Sequence, residues 1–307
     1  NKMVIQDDPK IYVKGESQYS ILRYAAMAAK WHEPARDALD TMVLSQADLG
    51  SLDKVEQLDF MPFDPVVKRT EGTVKDETGK TYKTTKGAPR VILKMISDKK
   101  IIEQAEEDER SLGERGIRCL AVAKTDGRDN WQLLGLLTFL DPPRLDTKET
   151  IRRSIEYGVE VKMITGDHLL IAMETCRALD LGDRVPGQAT VVPVIRGAEG
   201  LPMLDPVTKK APKGMTQKHG EYIREGHGFA QVFPEHKFLI VQVLREMGFK
   251  TGMTGDGVND APALKKADVG IAVAGATDAA RAASDIVLTE EGLSTIVDGI
   301  VIARCIF

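Results

Sequence analysis

The chain has 307 residues, 42% hydrophobic and 29% charged, with a formal charge of -4. That length suffices for two domains of ordinary size, each with its own core, and the slightly acidic balance gives no basic face for nucleic acid. No apolar run approaches the roughly 20 residues that a membrane helix needs, and the opening "NKMVIQDDPK" lacks the basic region and apolar stretch of a signal peptide.

In chain order, "ILRYAAMAAKW" and "ALDTMVLSQAD" carry apolar residues at helical spacing. The following "VEQLDFMPFDPVVKRTEGTVKDETGKTYKTTKGAP" alternates short β-type stretches with turns such as "DETGK", which predicts an antiparallel sheet covered by helices. "IIEQAEEDERSLGERG" predicts a solvated helix that stops near Gly113 or Gly116. From "LLGLLTFLDPPR" onward the pattern becomes strand, loop, helix. "LLGLLTFL" is a fully apolar strand, "DTKETIRRSIEYG" a helix ending at Gly158, "VEVKMITGD" a second strand and "LLIAMETCRALDLG" a helix closed by Gly182. "FAQVF", a helix from about Pro234, and "KTGMTGDG" repeat the scheme. Such alternation predicts a parallel sheet with helices on both faces. Between these elements the stretch from Val194 to Gly228, rich in Gly, Pro and Lys, reads as an irregular, solvated excursion with about one helical turn.

Ligands of such sheets gather beyond the carboxyl ends of the strands, where "TGD" (Thr165 to Asp167) and "GDGVND" (Gly255 to Asp260) fall. Gly255 and Gly257 let the backbone approach a ligand closely, and the Asp256 carboxylate between them suits magnesium, which takes oxygen ligands and keeps waters and phosphate. Asp260 is a second ligand or a holder of Asn259 and the metal's waters, the cap of the helix begun by "APALKKA", or both at once. Thr165 offers a hydroxyl at a strand-to-helix turn suited to an anion. With Lys237 of "FPEHK" these groups make up a phosphoryl site that lacks a nucleophile. Cys119, Cys176 and Cys305 are too few and too dispersed for a disulfide framework, which suggests a reducing compartment. The five histidines show no zinc-ligand spacing.

"KGAP" at Lys86, "DPPR" at Asp141, "TGD" at Thr165 and "TGDGVNDAPALKKAD" at Thr254, in that order, resemble the P-type ATPases. "MPFDPVVKRT", "GFAQVFPEHK" and "GIAVAGATDAARAASDIVLTEEGLS" look most like the plasma-membrane proton pumps among them. The resemblance is weakest between about Val185 and Gly226. It implies an α/β chain: a phosphorylation domain with a haloacid-dehalogenase-like parallel sheet at 138–307, ending in the start of a stalk helix, and an α+β nucleotide-binding domain with an antiparallel sheet at 1–137. It implies ATP and magnesium as ligands. Phe63, otherwise a core residue between prolines, would stack on adenine; Asp40 would accept from the adenine amino group. Lys68 and Lys86 would line the pocket, Arg118 would reach the β-phosphate, and Arg144 and Asp167 would lie near the nucleotide. Thr165 and Gly166 would bind the transferred phosphoryl group, Lys237 and Asn259 would neutralise it, and Asp256, with Asp260 beside it, would hold the metal.

The resemblance also implies that the phosphorylated aspartate, in a DKTGT segment, lies upstream of residue 1. Its strand would then be missing from the centre of the parallel sheet, and the chain alone would bind nucleotide without turning it over. The parent would be a proton exporter, with this portion at the cytoplasmic face of the plasma membrane. Its partners would be the actuator and membrane domains of the same polypeptide, with no insertion of this portion itself. A sodium pump, a soluble phosphatase of the haloacid-dehalogenase superfamily and a non-catalytic nucleotide-binding module are the alternatives.

Overall fold

The computed structural model describes residues 3–35, 37–64, 67–126, 129–208 and 210–306. Residues 65 and 66 of "MPFDPVVKRT" thus lie outside the described ones. The chain divides into two compact units, Asn1–Pro142 and Pro143–Phe307, each described by itself.

The first unit is built on an antiparallel sheet. In chain order it contains β1 (Val4–Ile5), β2 (Lys10–Ile11), α1 (Gln18–Met27), α2 (Ala38–Gln46), β3 (Glu56–Met61), β4 (Arg69–Lys75) and β5 (Thr81–Gly87). After these come α3 (Pro89–Ile92), α4 (Lys99–Glu114), β6 (Arg118–Thr125) and β7 (Trp131–Leu140). The seven strands run in the order β1-β7-β6-β5-β4-β3, with β2 also on β7. Ser17 caps α1 and Asp37 caps α2 through side-chain oxygens that accept from backbone N–H groups of the first turn.

The apolar "LLGLLTFL" is not the first strand of a parallel sheet. As β7 it pairs antiparallel with β1, β2 and β6, and the first unit runs on past it to Pro142. Its uniform hydrophobicity has another cause: both faces of the strand are covered. Leu134, Leu137 and Phe139 enter the core beneath α1 and α2. Leu133 and Leu136 enter the core beneath α3 and α4. A bulge opposite Val122 and Ala123 of β6 shifts the register, so the two-residue alternation expected of a strand is broken there.

The second unit is the α/β one. Its elements are α5 (Thr147–Glu156), β8 (Met163–Ile164), α6 (Leu169–Ala178), β9 (Ile195–Gly197), α7 (Met215–Glu225), β10 (Gly228–Ala230) and α8 (Pro234–Glu246). They continue with β11 (Gly252–Gly255), α9 (Ala261–Lys266), β12 (Val269–Ala272), α10 (Asp278–Ala282), β13 (Ile286–Val287) and α11 (Ser294–Ile306). The strands are parallel but form two three-stranded sheets, β8-β10-β9 and β11-β12-β13. One edge each of β8 and β11 pairs with no described strand. Helix α6 ends at Ala178, and Asp180, in the left-handed conformation at φ 54°, turns the chain before Gly182 is reached. The Asp146 side chain accepts from Leu293 N at 2.5 Å and Ser294 N at 3.0 Å, joining the start of α5 to the start of α11. Among the described residues no helix is long and apolar enough to cross a membrane.

The stretch from Val194 to Gly228 departs most from its expected form. It contains strand β9, which pairs with β10, and the eleven-residue helix α7. Ala198, Leu201, Met215 and Ile223 from this stretch are buried with Phe229, Leu239, Ile240 and Val243 in one core. Its polar composition hid a helix whose apolar residues are few but fall on one side. If the stretch is structural, Ile223→Ala should destabilise the chain by about 2–5 kcal/mol, the usual cost of emptying a fully buried aliphatic site. Urea unfolding measures this; a change under about 0.5 kcal/mol would return the segment to the status of a surface loop.

Candidate functional site

In the second unit the candidate residues meet at the carboxyl ends of the parallel strands. Thr165 follows β8. Its backbone N–H donates to Phe229 O and its carbonyl accepts from Val232 N, which fixes the turn against the end of β10. Its hydroxyl donates to Asp167 Oδ2 at 2.8 Å and accepts from Asp167 N at 3.1 Å. Gly166, between them, has Val232 O as the nearest neighbour of a hypothetical Cβ, at 3.6 Å.

Residues 231–237 leave β10 and enter α8, and they connect the two strand-end loops. Gln231 N donates to Asp167 O at 2.8 Å. Lys237, in the first turns of α8, donates to Asp260 Oδ1 at 2.6 Å. The ammonium group, the "TGD" turn and the "GDGVND" loop are thus held by one short segment. That convergence brings a cation and two strand-end turns into one region, groups of the kind that can bind an anion.

Asp260 does not play the capping part expected of it. It is 5% exposed, and its second oxygen accepts from Asp256 N at 3.1 Å and Gly257 N at 3.3 Å. Although it stands at the N-cap position of α9, it makes no capping bond to that helix. It clamps the loop that precedes it instead. A Cβ on Gly255 would come within 2.5 Å of the Asp260 side chain, so this glycine makes room for the clamp rather than for a ligand. Both Asp260 oxygens are occupied, and the open carboxylate is that of Asp256, exposed like Asn259. No group of three or more acidic, histidine or cysteine side chains stands together among the described residues. Magnesium does not need one, since one or two carboxylates with waters and phosphate suffice. The donor set therefore fits magnesium through Asp256, with Asp260 behind it. Arg144 lies in the segment leading to α5, where its carbonyl accepts from Thr147 N.

His236, beside Lys237, is 2% exposed. Its Nδ1 accepts from Phe233 N at 3.3 Å, and its Nε2 is buried with no hydrogen-bond partner in the structure. Burial holds its pKa below the ordinary histidine value, with Glu235 opposing. The unfolded chain therefore takes up a proton on this ring at a higher pH than the folded one, and stability falls as pH drops below about 6.5.

In the first unit Asp40 and Lys86 are together, but they are not open to a ligand. Lys86 Nζ lies 2.7 Å from Asp40 Oδ1, and the two side chains are 3% and 6% exposed. The ammonium also donates to Ala28 O at 2.7 Å and Thr70 Oγ1 at 3.1 Å. An ammonium has three protons, and all three are used. Burial depresses the Lys86 pKa, while Asp40 works against that. The neighbouring Gly87 is required by packing, because a Cβ there would lie 2.6 Å from Lys68 O. Sequence alone gave no signal for Thr70 or the Ala28 carbonyl as the remaining partners.

Phe63 is 50% exposed, so it is not a core residue. Lys68 is exposed, with φ 54°. Arg118, at the start of β6, forms an ion pair with Asp141 of "DPPR". Asp40, Phe63, Lys68, Lys86 and Arg118 thus belong to the first unit, and all the remaining candidates belong to the second.

Two outcomes follow from these buried groups. Lys86→Met or Asp40→Leu alone should each cost about 3–5 kcal/mol in urea unfolding, and the double variant clearly less than their sum, because each single change strands a buried charge. Denaturation midpoints should fall from pH ~7 to ~5, with a shallower fall in His236→Gln, whose side chain takes up no proton. Equal slopes would show that His236 does not carry this dependence.

A model of the haloacid dehalogenase-like hydrolases matches residues 66–268. "Probable proton ATPase 1A" of Leishmania donovani is 54% identical over 309 residues, covering 100% of this chain and 31% of that protein. "Plasma membrane ATPase" of Zygosaccharomyces rouxii is 38% identical over 305 residues, covering 96% of this chain and 32% of that protein. The chain spans about a third of the length of these relatives. With parallel strands that end in the matched loops, and a family model covering more than half its length, the chain belongs to the haloacid dehalogenase-like hydrolases.

Proposed function

We propose that this chain is the nucleotide-binding and phosphoryl-transfer portion of a P-type cation-transporting ATPase, with protons as the cation and the plasma membrane as its place of work. The observation that carries this reading is the joining of the Thr165–Asp167 turn, Lys237 and the Gly255–Asp260 loop by residues 231–237. The choice of ion rests on the names of the relatives.

In this reading the second unit receives the terminal phosphoryl group of ATP. Backbone donors at Gly166 and the Thr165 hydroxyl hold its oxygens, with the hydroxyl turning from Asp167 to do so. Lys237 stays fixed on Asp260, so its charge is oriented before substrate arrives, and this preorganisation lowers the cost of gathering negative charge. Asn259 adds a neutral donor from the same loop. Asp256 would hold magnesium, which supplies positive charge to the phosphate oxygens when bound. The accepting aspartate would be carried on a strand pairing with the open edges of β8 and β11. The actuator and membrane domains of the longer polypeptide would be its partners.

The first unit holds the base. Phe63 offers an exposed aromatic face for stacking, and Lys68 is the exposed cation nearby in sequence. Lys86 and Asp40, buried and paired with each other, join β5 to α2 in the same unit. Arg118, paired with Asp141, reaches phosphate only by exchanging one anion for another.

Calorimetric titration with ATP and magnesium tests the reading. Saturable binding is expected, weakened about tenfold in Phe63→Ala, in keeping with the ~1–3 kcal/mol of a base–aromatic stack. No binding by folded protein, or binding indifferent to Phe63, would overturn it. Hydrolysis of p-nitrophenyl phosphate by this chain alone would favour a soluble phosphatase instead.

A further inference from the structure

Four non-glycine residues among the described ones have positive φ: Lys68, Asp129, Asp180 and Gln231. Asp129 lies in the turn between β6 and β7, and Asp180 ends the α6 segment. Aspartate tolerates this conformation because its short side chain bonds to local backbone. Glutamine has no such help, and Gln231 is not on a surface turn. It is half-buried, at φ 58°, between the end of β10 and the first turn of α8.

The backbone around Gln231 is held from both sides. Gln231 N donates to Asp167 O at 2.8 Å, and the next N–H, of Val232, donates to Thr165 O at 3.0 Å. Gly166 lies between those two acceptors. The left-handed residue therefore faces the one turn in which a phosphoryl group is proposed to sit. Glycine would take this φ without strain, yet the position holds a long side chain ending in an amide. Backbone strain of this kind concentrates at ligand sites.

Of the neighbouring side chains, Thr165 Oγ1 is paired with Asp167, Lys237 with Asp260 and His236 Nδ1 with Phe233 N, while His236 Nε2 is buried without a partner. The Gln231 carboxamide forms no hydrogen bond among the described residues. We propose that Gln231 is a substrate-contact residue whose side-chain N–H donates to an oxygen of the phosphoryl group held at the Thr165–Asp167 turn. This rests on the phosphoryl-transfer reading given above. The amide is neutral, so it adds a directed donor beside Lys237 without adding charge. It helps to fix which way the phosphoryl oxygens point.

The test uses this chain, inorganic phosphate and magnesium, followed by 31P NMR titration and by thermal melting. Gln231→Gly is expected to melt no lower than the parent while binding phosphate about tenfold more weakly, the lower end of what a donor to a charged acceptor contributes. Gln231→Asn, which tolerates positive φ and keeps a carboxamide, recovers part of the affinity. Unchanged affinity in Gln231→Gly overturns the proposal. So does lost affinity accompanied by a lower melting temperature, the mark of a packing residue. Asp256→Asn separates the two levels of argument. If it abolishes the magnesium dependence of binding while Gln231→Gly changes nothing, only the role of Gln231 fails. If Asp256→Asn also binds as the parent does, the phosphoryl site fails and the proposal fails with it.

Discussion

The second unit depends on a buried carboxylate. Its parallel strands are divided between two small sheets. Asp260 joins them. One of its oxygens takes the ammonium of Lys237, which follows the first sheet, and the other takes two backbone N–H groups at the end of β11. A carboxylate this buried is costly unless its lone pairs are satisfied, and here both oxygens are. The loop around Asp256 is held by the same carboxylate, through the N–H groups of Asp256 and Gly257.

A comparable economy governs the first unit, with a different result. Lys86 and Asp40 are also a buried pair, but every donor of the ammonium is spent inside the protein. In the second unit the cation remains 21% exposed and open to solvent. The contrast between Lys237 and Lys86 lies in access, which residue type and motif do not encode. Both lysines stand next to structure-forming residues in short motifs, and only three-dimensional burial separates them.

Much of the architecture could be read from one dimension. The change from β-type stretches with turns to strand–loop–helix alternation marked the two units, and the glycine-flanked Asp256 stood out because an acid in such a turn has little structural purpose. The errors have physical causes. β7 looked like a parallel strand because burial on both faces removes the alternation that identifies antiparallel strands. The helix α7 was lost because one helical face needs few apolar residues, and these were diluted among Lys, Glu and Gly. Asp260 drew an expectation of capping α9, whereas one of its oxygens faces backward along the chain to Asp256 N and Gly257 N.

The attachment of α11 has a mechanical consequence. A single carboxylate, Asp146, lies against Gly292 so closely that a Cβ there would overlap it, and it grips the first N–H groups of the helix. Residues separated by 147 positions in sequence therefore behave as one joint. A tug on the chain just after Pro143 reaches the root of α11 directly, through two hydrogen bonds, without travelling through the sheets. The helix is geared to the segment that leads into α5, and neither can slip relative to the other while that carboxylate stays seated.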